Sequence, residues 1–105
     1  MVTREDLEPL RARIEADQAN TQARRCPSVD APVVRVKIGR KYAKVDLGPA
    51  CNMSGRYMVN LETGEIFGIK GYGVVHLGHR FGTLETIEDW HWGEYVALQR
   101  KGARA

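Results

Sequence analysis

Cysteine is scarce in this chain: only Cys26 and Cys51 occur, 25 positions apart and without a Cys-x-x-Cys pair. Free thiols in a reducing cytoplasm are the expectation from such usage. Long apolar runs are lacking as well. No stretch approaches the roughly 18 consecutive apolar residues of a membrane helix, and the first residues show no signal-peptide core, so no membrane partner is expected. Histidine is sparse too, with His76, His79 and His91 alone. His76 and His79 form a His-x-x-His pair, but structural zinc usually brings two close ligand pairs. Here one pair straddles a Gly78-His79 turn while the cysteines are isolated. No metal and no cofactor is expected.

What is present suits one small domain. The 105 residues are 43% hydrophobic and 28% charged, enough for a modest core and too apolar for wholesale disorder. A net charge of +3 permits binding to nucleic acid or another anionic surface without requiring it. The excess lies wholly in the first half: residues 1–50 hold ten Lys/Arg against seven Asp/Glu, and residues 51–105 hold six against six. Arg35, Lys37, Arg40, Lys41 and Lys44 follow one another there without an intervening acid.

In chain order, Thr3 with Asp6 three residues on reads as a helix start, and Leu7, Leu10 and Ile14 recur at helical spacing. The spacing predicts a helix over 4–24, its regular part delayed by a turn at Pro9. Its apolar stripe thins after Ile14, and such a helix is marginal by itself. The segment 1–25 therefore reads as a docked arm, an oligomer contact or a frayed tail. The stretch CPSVDAP over 26–32 carries two prolines and predicts an extended linker to a β-rich domain over 33–105.

From Val33 the period becomes two, with Val34, Val36 and Ile38 alternating with Arg35 and Lys37. A two-residue turn at Gly39-Arg40 pairs Ile38 with Lys41, Val36 with Ala43 and Val34 with Val45. The same register sets Lys37 beside Tyr42 and Arg35 beside Lys44, a basic face with one aromatic in it. Like charges directly across strands are mildly unfavourable, and two explanations stay open: an anionic partner, or protection of an exposed edge by lysines.

After the loop GPACNMSG over 48–55, the stretch SGRYMVNLETGEIFGIKGYG over 54–73 predicts a second hairpin. Glu62-Thr63-Gly64 suits a turn with its glycine in the left-handed region. Closing it between Leu61 and Glu65 places Val59 against Phe67 and Tyr57 against Ile69, leaving Met58, Asn60, Ile66 and Gly68 to the other face. Gly71-Tyr72-Gly73 reads as a tight connection or as a loop displaying Tyr72, with Lys70 beside it, to a partner. A phosphate loop would need a Lys-Ser/Thr and a helix after GIKGYG; Val74-Val75-His76 follows instead, which excludes nucleotide hydrolysis. Residues 74–77 and 81–84 predict a last strand pair around Gly78-His79. Thr86 with Asp89 predicts a C-terminal helix through Arg100, with Trp90, Trp92, Tyr95, Val96 and Leu98 as apolar surface and Arg100, Lys101 and Gly102 as its stop.

The string SGRYMVNLETGEIFGIKGYGVVH resembles a motif of small accessory proteins encoded by bacteriophages and related mobile elements. Their Gly-Arg-Tyr-Met-Val, Thr-Gly-Glu-Ile and Gly-Ile-Lys-Gly-Tyr-Gly order is similar over roughly residues 42–86. The resemblance implies a phage-like accessory origin and supplies no activity.

Catalytic constellations are thin. Cys51 with His76 or His91 would need the fold to join them, and Glu85, Glu88, Asp89 and Glu94 surround a predicted helix start, where they favour its dipole. No enzyme is expected. The expected architecture is α+β, a small bent antiparallel sheet or an SH3-like five-stranded barrel with N-terminal and C-terminal helices. Its expected core holds Val34, Val36, Ile38, Val45, Val59, Phe67 and Ile69. The expected function is nucleic-acid binding through Arg35, Lys37, Arg40, Lys41, Tyr42 and Lys44. The alternative is a protein-interaction module acting on a host or assembly protein through Tyr72 and Lys70. Oligomeric state is left open.

Overall fold

The computed structural model describes residues 1–28, 30–49, 51–94 and 96–99. Among the described residues the one α-helix, α1, spans Arg4–Arg25. The Thr3 hydroxyl accepts the Asp6 amide at 3.3 Å and the Asp6 carboxylate accepts the Thr3 amide at 2.9 Å, a reciprocal cap that starts the helix at Arg4. Pro9 therefore causes no delay; it removes only the bond to the carbonyl of exposed Glu5, which water can satisfy. Leu7, Leu10, Ile14, Asp17 and Thr21 are the buried residues of α1. Their alternating spacing of three and four makes one continuous stripe, so the helix is docked along its length and is not a frayed tail.

Five antiparallel strands follow in sheet order equal to chain order: β1 (Val33–Ile38), β2 (Tyr42–Gly48), β3 (Ser54–Asn60), β4 (Glu65–Gly71) and β5 (Val74–Thr83). The fold is α+β, with an open sheet whose edges are β1 and β5; it is not closed into a barrel. Part of the reason lies in α1. The Glu15 carboxylate accepts the Val34 amide at 3.4 Å and the Arg4 guanidinium donates to the Val36 carbonyl at 3.2 Å. These helix side chains occupy backbone groups of β1 that closure onto another strand would use. One core joins α1 to one face of the sheet. Leu7, Leu10 and Ile14 pack there with Val34, Ala43, Val45, Leu47, Tyr57, Val59, Ile66 and Trp92.

The hairpin registers differ from expectation in instructive ways. Between β1 and β2 the Gly39 amide donates to the Tyr42 carbonyl at 3.0 Å, and the pairing is Ile38 with Ala43, Lys37 with Lys44 and Arg35 with Asp46. The connection is longer than the expected two residues. The partners shift by two, so every side chain keeps its face but changes its neighbour. Between β3 and β4 the slip is one residue, Met58 opposing Phe67 and Val59 opposing Ile66. Gly64 does take the left-handed conformation, φ 77°. Asn60 Oδ1 accepts the amides of Glu62 and Thr63, however, and buried Leu61 turns into the core. A one-residue slip exchanges faces: Ile66 enters the main core, and Phe67, though buried, lies on the opposite face. Ile38 is exposed at the end of β1, and Ile69 is only partly buried.

Residues 74–83 are one strand, not the expected pair. Leu77, Gly78 and His79 bulge out between the Gly68–His76 and Phe67–Arg80 pairings. Gly78 is not in the positive-φ region that a tight Gly-X hairpin turn requires; its amide donates to His76 Nδ1 at 3.2 Å. The expected C-terminal helix is also absent from the described residues. A 3-10 turn at Ile87–Asp89 leads into two short strands, β6 (Trp90–His91) and β7 (Leu98–Gln99). The Thr86 hydroxyl bonds back to the Thr83 amide and carbonyl and makes no forward cap, while the Trp92 amide goes to Asp17 Oδ2 at 3.0 Å. Trp90 and Trp92 stand two apart, and Trp92 is fully buried edge-on against Tyr57 as a packing anchor. Tyr95 and the proposed stop at Arg100, Lys101 and Gly102 lie outside the described residues.

Candidate nucleic-acid interface

Strand alternation decides what the open face of the sheet carries. Val34 and Val36 of β1 and Ala43, Val45 and Leu47 of β2 belong to the helix side, which puts Arg35, Lys37, Lys44 and Asp46 on the other. Tyr72 joins them from a distance in sequence. Gly71 pairs with Val74, so Tyr72-Gly73 is a tight turn, with Gly73 at φ 78°. The Tyr72 ring folds back over β2: Lys44 Nζ stands 4.9 Å from its centroid, and its hydroxyl donates to Asp46 Oδ2 at 3.3 Å. Lys37 Nζ approaches the same oxygen at 3.9 Å. Tyr72 stays 56% exposed.

Asp46 is the member of this cluster that sequence reasoning missed. It is 2% exposed and opposes Arg35, and its Oδ1 is buried without a hydrogen-bond partner among the described residues. A carboxylate here relieves the facing of Lys37 by Lys44 and ties both strands of the basic hairpin to the Tyr72 turn. Its signal was its phase: Asp46 alternates with Lys44 in KVDLG and so shares the basic face whatever the turn. The two-residue turn set Lys44 opposite Arg35 and ended the pairing at Val45, hiding Asp46 from both.

The remaining predicted residues stand elsewhere. Tyr42 is half-buried and edge-on to Phe67, centroids 6.4 Å apart, in a second apolar patch with buried Met58. Its ring is a packing group. Arg40 and Lys41 are exposed at the β1–β2 turn, with Lys41 Nζ 5.7 Å from the Tyr42 centroid. Four residues of strand, about 13 Å at ~3.3 Å each, separate Tyr42 from Asp46. The structure therefore gathers Arg35, Lys37, Lys44 and Tyr72 at one end of the face and leaves Arg40, Lys41 and Tyr42 at the other. Lys70 is exposed and lines a cleft of about 220 Å³ next to Tyr72.

Other chemistry is sparse. Cys26 and Cys51 are free and exposed. Among the described residues no three His, Cys, Asp or Glu side chains are grouped to hold a metal, and no helix is long and apolar enough to cross a membrane. Burial pushes the Tyr57 phenol well above its usual range, against the opposing charge of Arg56. That group faces the core and serves packing. No protein-family model, curated protein or solved structure matches the chain.

Proposed function

We propose that the protein is a small non-enzymatic module that binds single-stranded nucleic acid on the open face of its sheet. Arg35, Lys37 and Lys44 serve as phosphate contacts and Tyr72 as a stacking platform. The observation that carries this reading is the return of Tyr72 over Lys44 and Asp46, which sets an exposed ring among three cations with one carboxylate between them. A strand with splayed bases suits a sheet surface with a displayed aromatic, because cations follow its backbone while the ring accepts any base. Free thiols fit work in a reducing cytoplasm, and the motif over 54–76 fits an accessory protein of phage type.

Fluorescence anisotropy with labelled oligonucleotides tests it. Binding is expected to weaken steeply with salt, with a log–log slope of roughly −0.7 per phosphate neutralised on a single strand. Affinity unchanged in the Lys37→Ala, Lys44→Ala double variant would reject the reading.

A second reading, contact with a host or assembly protein through Tyr72 and Lys70, draws on exposed Tyr72, Val74 and Leu77 at edge strand β5. Capture of one defined partner that survives nuclease and high salt favours it over nucleic acid.

A further inference from the structure

The cleft beside Tyr72 has a composition of its own. Its walls include Arg56, Lys70 and His79 together with Gly55, Gly68 and Gly71, and no carboxylate is among its described lining residues. Of the three glycines Gly71 opens on empty space, whereas a methyl group at Gly68 would meet His79 and Phe81 at 3.3 Å. The cleft volume of about 220 Å³ is several times the roughly 30 Å³ share of one water, room enough for a phosphate group.

The nitrogenous groups are set by the fold. Arg56 sits in β3, where the β2–β3 register shifts between Val45 and Asp46, and Lys70 lies near the end of β4. His79 lies in the β5 bulge, its ring stacked on His76 at 4.3 Å and 9°. The His76 ring is itself held by the Gly78 amide. A guanidinium and an ammonium on one small cleft, with an imidazole that adds a third charge when protonated, form a donor set suited to phosphate oxygens.

The cleft also adjoins the proposed stacking platform. Gly71 precedes Tyr72, and a methyl group on Gly55 would lie 3.0 Å from Tyr72 Cδ1. Ring and cleft are thus neighbours, as the base and phosphate of one nucleotide are.

We infer that this cleft takes a phosphate group, through Arg56 and Lys70 with His79 beside them; its source as a nucleic-acid strand rests on the function proposed above. The full-length protein is titrated, at constant ionic strength set with chloride, with inorganic phosphate and with short 5′-phosphorylated and 5′-hydroxyl oligothymidylates, following backbone amide shifts. Gly68, Lys70, Gly71 and His79 amides are expected to move with inorganic phosphate and with the oligonucleotides. Lys70→Gln, an exposed change that leaves the spectrum otherwise intact, is expected to weaken oligonucleotide binding about tenfold, and Arg56→Gln is expected to act in the same direction. A larger response to the 5′-phosphorylated strand assigns the cleft to a terminal phosphate; equal responses with cleft shifts assign it to an internal one.

Oligonucleotide binding that depends on Lys37 and Lys44 but leaves the cleft amides unmoved and is unaffected by both glutamine variants overturns the inference while the proposed function stands. Cleft shifts with inorganic phosphate and no oligonucleotide binding keep the phosphate site, assign it to a small phosphorylated molecule and reject the nucleic-acid reading. No shift with any probe overturns both.

Discussion

The two faces of the sheet are built on opposite rules. The helix face is closed twice over: Leu7, Leu10 and Ile14 close it with apolar contact, and the second half of α1 closes it with polar contact to backbone. Asp17 accepts the Trp92 amide, Gln18 donates to the carbonyls of Trp92 at 2.7 Å and Glu94 at 3.1 Å, and Arg25 pairs with Glu94 at 2.9 Å. The open face instead holds Lys37 and Lys44 around one buried carboxylate and the Tyr72 ring at one end, and a small apolar patch of Tyr42, Met58 and Phe67 at the other. A side chain removed from the first face costs stability, whereas the exposed cations of the second can change with little effect on the fold. Residues free of a folding duty are the ones available for recognition.

The largest expected effect breaks the first face. Leu10→Ala, at a fully buried position, is expected to lower unfolding free energy by about 2–5 kcal/mol, read from the urea midpoint with unchanged slope. Asp17→Ala asks whether the polar half of the seal matters as much. It leaves the buried Trp92 amide without its acceptor, and a loss of about 1–3 kcal/mol is expected by the same titration.

Tyr57 sharpens the comparison through pH. Its folded phenol is held protonated above the ordinary value by burial. Stability is therefore unaffected by this group below a pH of about 10, where both states are protonated. As pH rises further, the unfolded chain ionises first and stability falls until the folded value is passed. Urea midpoints near pH 8 and pH 11 are expected to differ less in Tyr57→Phe than in the wild type; an equal difference would contradict the burial argument.

The smallest effect on stability belongs to the open face. Lys37→Ala with Lys44→Ala is expected to change unfolding free energy by less than about 1 kcal/mol. The same pair is expected to reduce the salt slope of oligonucleotide binding by roughly 0.7 per lysine.

Much of the helix face was legible. The reciprocal signal of Thr3 and Asp6 placed the start of α1, period two placed β1, and the turn signals at Gly39-Arg40 and Glu62-Thr63-Gly64 placed β2 to β4. Registers were not, because the length of a connection depends on hydrogen bonds, such as Gly39 to Tyr42 and Asn60 to the Glu62 and Thr63 amides, that leave no pattern in side-chain polarity. The polar end of the stripe on α1 was misread for a related reason. Asp17 and Thr21 are polar residues in apolar phase, and Asp17 finds its partner in the backbone of a segment 75 residues away. The C-terminal segment failed on ambiguity: Thr86 and Asp89 carry a helix-start pattern, while Trp90 and Trp92, two apart, carry a strand pattern that tertiary contact enforces. On the site, charge clustering found Lys37 and Lys44, but only the β4–β5 turn could bring Tyr72 to them.

The bonds from α1 to Trp92 and Glu94 also set an order of events during synthesis. The helix is made before the strands it packs on yet is completed late, because acceptors and donors for Asp17, Gln18 and Arg25 do not exist until residues 92–94 have been added. Until then its second half carries a stripe with nothing to meet, and a helix of this kind is marginal alone. The β hairpins are thus expected to assemble first and α1 to lock last, with folding governed by contacts of high sequence separation.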